Sequence, residues 1–121
     1  MKETRFLETK SEWKKVKRSI PKYGLIIFKF STICPISRDV ERDFDTWYAQ
    51  LAKKTDLLCV KVDVRADRKL SQHLARELDI RHESPQAIWM SPDQKVLWHA
   101  SHRSITTEAL NTQLTKMQGQ G

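Results

Sequence analysis

The spacing of apolar positions changes several times along the chain, and each change marks an element. Arg5 to Leu7 predicts a short first strand. Thr9 followed three residues later by Glu12 fits a capping box, and Trp13, Val16 and Ile20 then fall on one helical face. Pro21 and Gly24 end that helix. Leu25-Ile26-Ile27-Phe28 shows no polar alternation, the pattern of a strand buried on both faces. Pro35 opens a long helix, because its missing N–H costs nothing at the first helical position. Ile36, Val40, Phe44, Trp47, Tyr48 and Leu51 form the apolar stripe of that helix.

Leu57 to Val64 predicts a further buried strand, and Asp67 is the expected N-cap of a helix carrying Leu70, Leu74 and Leu78. Ala87 to Met90 and Val96 to Ala100 pair as a hairpin across the turn Pro92-Asp93-Gln94-Lys95. Thr106 caps a last helix with Leu110, Leu114 and Met117 on one face. The order is β-α-β-α-β-α-β-β-α. The alternating units imply parallel strands with right-handed crossovers. The hairpin adds an antiparallel edge, so the expected architecture is α/β, a central mixed sheet with helices on both faces. The 121 residues suffice for one domain, expected over residues 1–117, with a fraying polar tail over 118–121.

Composition narrows the function classes. Apolar residues make up 39% and charged residues 31%, which excludes a disordered chain. The longest apolar runs, Leu25 to Phe28 among them, are far short of the ~20 residues of a membrane span. Met1 to Lys10 is polar and has no signal-peptide core, so a cytoplasmic protein without a membrane partner is expected. The net charge of +7 is spread along the chain. Its densest cluster, Lys14, Lys15, Lys17 and Arg18 with Lys10 upstream, reads as a solvated helix face. No nucleic-acid motif accompanies it, and a monomer with no nucleic-acid partner is expected.

Two cysteines remain to be explained, Cys34 and Cys59. Cys34 lies between a buried strand and a helix that begins at Pro35, so it occupies or borders the N-cap. Free N–H groups and the positive end of the helix dipole face its sulfur and favour the thiolate. Cysteines so placed have pKa values lowered from ~8.5 toward roughly 3.5–7.5. The thiolate is the nucleophile of disulfide exchange, and Ser, Asp or Asn would serve a purely capping role better. In the motif Cys34-Pro35-Ile36-Ser37, the serine stands where a dithiol protein has its second cysteine. Ser37 cannot form a disulfide, so a mixed disulfide on Cys34 must be resolved by an external thiol. Ser37 is expected to donate a hydrogen bond toward the Cys34 sulfur. Cys59 sits among Leu57, Leu58 and Val60 and reads as inert core. A phosphatase loop is excluded, since Arg38 is too close to Cys34 for a C-x5-R arrangement.

The histidines, His73, His82, His99 and His102, show no metal-ligand spacing, and no metal is expected. His99 and His102 fall on a strand and its following loop, His73 on a helix surface. His82 and His102 flank the predicted active-site edge. Ser84-Pro85 precedes a strand, and by its residues alone Pro85 is a strand-start proline.

Three blocks carry a resemblance: FKFSTICPISR (Phe28 to Arg38), IRHESPQ (Ile80 to Gln86) and WHASHRSIT (Trp98 to Thr106). Arg5 through Met117 resembles the bacillithiol-system thioredoxin-like family, the single-cysteine bacilliredoxins. The resemblance implies a thioredoxin-like fold, a cis proline at Pro85 beside the active-site cysteine, and Cys34 as that cysteine. It implies removal of bacillithiol from mixed disulfides on proteins, with bacillithiol as thiol co-substrate, S-bacillithiolated proteins as partners and no bound cofactor. The choice of bacillithiol over glutathione or coenzyme A rests on the resemblance.

The expected substrate-binding residues are Thr32, Ile33 and Pro35 around the cysteine, Ser84 and Pro85, and His102, Arg103 and Ser104. Arg38 is a second cation beside Arg103, and solvated surface is the alternative reading of both arginines. The chain departs from its relatives at three places. Phe30 stands where the family usually has His, Phe28 where ordinary thioredoxins bury an acid, and Ile33 where they carry Trp. The alternative functional reading is a thioredoxin-fold binding module, or a stress sensor thiolated at Cys34.

Overall fold

The computed structural model describes residues 2–119. The first strand, β1 (Arg5–Phe6), leads to α1 (Lys10–Lys17), whose capping box is complete: Thr9 accepts from the Glu12 amide and Glu12 accepts from the Thr9 amide. This helix stops at Lys17, earlier than its apolar spacing predicted, and Ile20 packs from the following turn. Gly24 then adopts φ +107°, and a Cβ there would lie 2.6 Å from Met90 O, so the entry to β2 (Leu25–Phe30) requires glycine. The long helix α2 (Pro35–Gln50) follows, then β3 (Leu58–Asp63) and α3 (Arg68–Leu78). The hairpin β4 (Gln86–Met90) and β5 (Val96–Ser101) runs into a 3-10 turn (His102–Ser104), and α4 (Thr107–Gly119) closes the described chain.

The sheet has the order β1-β3-β2-β4-β5. β1 and β2 each pair in parallel with β3, while β4 pairs antiparallel with both β2 and β5. Because successive residues of a strand face opposite ways, β2 feeds two cores. Ile26, Phe28 and Phe30 pack with α2 and α4, and Leu25 and Ile27 pack with α1 and α3. Burial of this apolar surface on both faces is the main driving force of the fold.

Three local expectations are corrected. Asp67 holds the N-cap position of α3, yet its side chain makes no capping bond; Asp63 accepts the Arg65 and Ala66 amides instead. Ile36 is 38% exposed and leaves the apolar stripe of α2, where Ser37 is buried in the first turn instead. The expected tail gives way to helix at Gln118 and Gly119, and its remaining residues, 120–121, lie outside the described residues. Thr106 does cap α4, its hydroxyl accepting the Ala109 amide at 3.1 Å.

Candidate active site

The geometry around Cys34 is set by two neighbouring strand ends. β2 runs toward Cys34, and Lys29 pairs with Gln86, so the chain leaving β2 passes the segment that enters β4. That segment carries the cis peptide Ser84–Pro85. Pro85 is buried, and its carbonyl accepts the His102 amide at 2.8 Å. His102 takes a left-handed φ of 55° there, which turns the chain out of β5 into the 3-10 turn lying against α2. Cysteine helix, cis-proline segment and 102–104 turn thus gather at one end of the sheet, and the cis bond at Pro85 is the one the resemblance implied.

Cys34 is the N-cap of α2 with extended backbone, φ −94° and ψ 119°, and Pro35 is at the first helical position. The residue is half-buried, and its thiol accepts no capping bond from the first turn of α2. Thr32, Pro35 and Arg38 are exposed around it, and Ile33 is 67% exposed. Arg38, Arg103 and Ser104 make no side-chain hydrogen bond or ion pair among the described residues. His102 Nδ1 lies 3.5 Å from Glu83 Oε2. Ser84 Oγ is buried with no hydrogen-bond partner among the described residues.

Ser37 does something other than expected. Its hydroxyl is fully buried and accepts the Ser31 amide at 3.0 Å, and no hydrogen bond joins it to the Cys34 sulfur among the described residues. A hydroxyl in the first turn satisfies the backbone that swings from β2 to α2, so the residue shapes the loop and leaves the thiol alone. Ser31 Oγ in turn accepts the Ile33 amide at 3.4 Å.

Cys59 is sealed. It is fully buried in β3, its amide donates to the Tyr48 hydroxyl at 3.1 Å, and that hydroxyl donates to the Leu57 carbonyl. Burial pushes the Cys59 thiol well above its ordinary range and the Tyr48 phenol up to about 12. Phe28 stacks on Phe44 with centroids 4.5 Å apart. Phe30 packs edge-on against Phe6.

Sequence reasoning passed over Lys29. Its side chain is fully buried on the α3 face of the sheet, its Nζ donating to the Ser71 carbonyl at 3.0 Å and lying 3.4 Å from His82 Nδ1. Burial pulls the Lys29 ammonium down to about 8. Burial, then the nearby Lys29 charge, lowers His82, against Glu83. The available signal was a lone lysine inside the buried strand Leu25–Phe30.

One half-exposed cysteine at a helix start beside a cis proline defines a thioredoxin-fold redox thiol protein. Solved structures agree on the fold. A candidate oxidoreductase with a thioredoxin fold superposes with a TM-score of 0.77 at 23% identity, covering 91% of this chain and 92% of its own. The thioredoxin of Malassezia sympodialis gives 0.72 at 14% identity over 97% of this chain and 92% of its own. That of Fasciola hepatica gives 0.69 at 14%, over 94% and 99%. The model of the family "Monothiol bacilliredoxin BrxC" matches residues 5–110. The chain belongs to this monothiol bacilliredoxin family.

Proposed function

We propose that this protein removes bacillithiol from mixed disulfides on cytoplasmic proteins through Cys34. The carrying observation is that Cys34 is half-exposed at the start of α2, while Ser37 replaces a second thiol and Cys59 is sealed in the core. In the first step the Cys34 thiolate attacks the bacillithiol sulfur of a modified protein. The S–S bond breaks, the protein thiolate leaves, and Cys34 holds bacillithiol. In the second step the thiolate of free bacillithiol attacks the bacillithiol sulfur on Cys34. The Cys34 thiolate is released and bacillithiol disulfide departs, so the electrons that reduce the client come from bacillithiol.

Thr32, Ile33 and Pro35 line the approach to the sulfur. The Ser84 backbone, just before Pro85, pairs with the extended thiol as a neighbouring strand would. The unpartnered Ser84 hydroxyl adds a polar group at the same point. Arg38, His102, Arg103 and Ser104 stand on the flanking elements, and the two guanidinium groups, unpaired among the described residues, are offered to carboxylates of the ligand.

The test is a purified client carrying bacillithiol on one cysteine, with release followed by mass spectrometry. Wild type releases bacillithiol, Cys34→Ser abolishes release, and Cys59→Ala retains it. Without free bacillithiol, the adduct stays on Cys34. Ser37→Cys instead forms an internal disulfide. An adduct on Cys34 that free bacillithiol fails to remove would make the protein a thiol sensor. Release in Cys34→Ser would refute the mechanism.

A further inference from the structure

Lys29 is a buried cation that pairs with no carboxylate among the described residues. The partners of its Nζ are the Ser71 carbonyl and His82 Nδ1, and His82 Nδ1 also lies 3.3 Å from Ser71 Oγ. Burying an ammonium without a counter-charge is costly, and the neighbouring buried lysine avoids that cost: Lys61 Nζ lies 2.7 Å from both Glu41 and Asp45 carboxylate oxygens. Directly over Lys29, Ser71 and His82 form part of a cleft of about 400 Å³ completed by Val64, Arg65, Arg68 and Gln72. No acidic side chain lines it. Arg65 and Arg68 form no ion pair among the described residues. Asp63 and Asp67 both lie two residues from Arg65, and Asp67 adjoins Arg68; Asp63 is occupied by the Arg65 and Ala66 amides, and neither acid lines the cleft. The cleft therefore combines two outward guanidinium groups, an imidazole, a hydroxyl and a buried ammonium behind them, and lacks only the negative charge.

We infer that the cleft between the β3–α3 connection and the segment before Pro85 is a carboxylate-binding site, with Arg65 and Arg68 as the direct ligands and Lys29 as the charge beneath. Arginine forks bind carboxylates in bidentate fashion. The cleft opens at the same end of the sheet as Cys34, because both follow the ends of the adjacent parallel strands β2 and β3. Two sources supply this chemistry: the malyl end of bacillithiol seated on Cys34, or a free dicarboxylate. The first rests on the function proposed above; the site itself does not.

L-Malate titrated into the full-length protein tests the site without any thiol exchange. Long-range 1H–15N spectra are expected to show saturable shifts at the His82 ring and at the Arg65 and Arg68 Nε–H groups. Replacing either arginine with Gln weakens malate binding about fivefold, as loss of one exposed ionic contact does. Lys29→Met weakens it further, and the two exposed arginine variants read the site even where that buried variant perturbs folding. Absence of saturable shifts, or equal binding by wild type and Arg65→Gln/Arg68→Gln, overturns the inference. A second arm separates the sources. A KM for a bacillithiol mixed disulfide that rises about fivefold per arginine replaced assigns the malyl end. An unchanged KM with malate binding lost assigns a free dicarboxylate. A protein that binds malate but exchanges no bacillithiol keeps the site and refutes the proposed function.

Discussion

Two lysines sit on adjacent strands, both buried, and meet opposite surroundings. Lys61 of β3 points to the α2 face, where Glu41 and Asp45 reach it and the rings of Phe6 and Phe30 lie within 6 Å. Burial pulls its ammonium down, the bonds from Asp45 and Glu41 outweigh that, and the group ends above its ordinary value. Lys29 of β2 points to the α3 face and receives only neutral acceptors, so burial alone acts and brings it to about 8. A buried charge is tolerated in either case, but its thermodynamic sign depends on what the opposing helix presents. An acid on α2 makes Lys61 structural. The acid of α3, Glu77, is engaged by Trp13, Lys17 and His73, and Lys29 is left with neutral partners.

The largest effect is expected where the compensation is removed. Glu41→Gln with Asp45→Asn leaves Lys61 buried and unpaired, and should lower stability by about 2–4 kcal/mol in urea unfolding at pH 7, the partly solvated carboxylates keeping the loss at the low end of buried pairs. A loss below ~0.5 kcal/mol would make the two lysines alike. Neutral burial on the same face is the next case. Ser37→Ala strands the buried Ser31 amide and should cost about 1–3 kcal/mol, read by thermal unfolding, with Cys34 still open to alkylation.

Lys29→Met should raise stability at pH 7 by about 1–2 kcal/mol, because a buried charge gives way to an apolar chain of similar length. The two lysines also differ in pH dependence. Between about 8 and the ordinary lysine value of 10.5, unfolded Lys29 holds a proton that the folded chain has released. Wild-type stability therefore rises over that window relative to Lys29→Met. Lys61, raised when folded, contributes stability below the ordinary lysine value and loses it as pH climbs through its higher folded value. Parallel profiles for wild type and Lys29→Met from pH 7.5 to 10.5 would remove the contrast.

The smallest expected effect asks which face holds the ligand's charge. Arg38→Gln and Arg103→Gln, on the α2 side, should each change the KM for a bacillithiol mixed disulfide by up to about fivefold, an exposed contact of ~1 kcal/mol. Weakening of that difference with salt would mark it as ionic. Loss confined to these two variants, with Arg65→Gln and Arg68→Gln unaffected, would place the carboxylates on the α2 face.

Much of this protein is written in its local sequence. The Thr9–Glu12 capping box, the unbroken apolar run of β2, Pro35 at a helix start and the helix cap at Thr106 are short-range signals, and their physics acts over one turn or one strand. They determined the element order and placed Cys34 at the N-terminus of α2. The motif at Cys34 also told that no second thiol stands beside it. The tertiary structure decided what depends on residues far apart in the chain. Ser37 turned to the Ser31 amide because the β2–α2 connection brings that donor to it. Ile36 stands at the surface, and Ser37 takes the buried position in the first turn of α2. The sequence marks Lys29 and Lys61 alike, each a lone lysine in an apolar strand. Only the packing of α2 and α3 on opposite faces gives one its acids and leaves the other beneath an open cleft, because the energy of a buried charge is set by whatever the fold brings within a few ångströms of it.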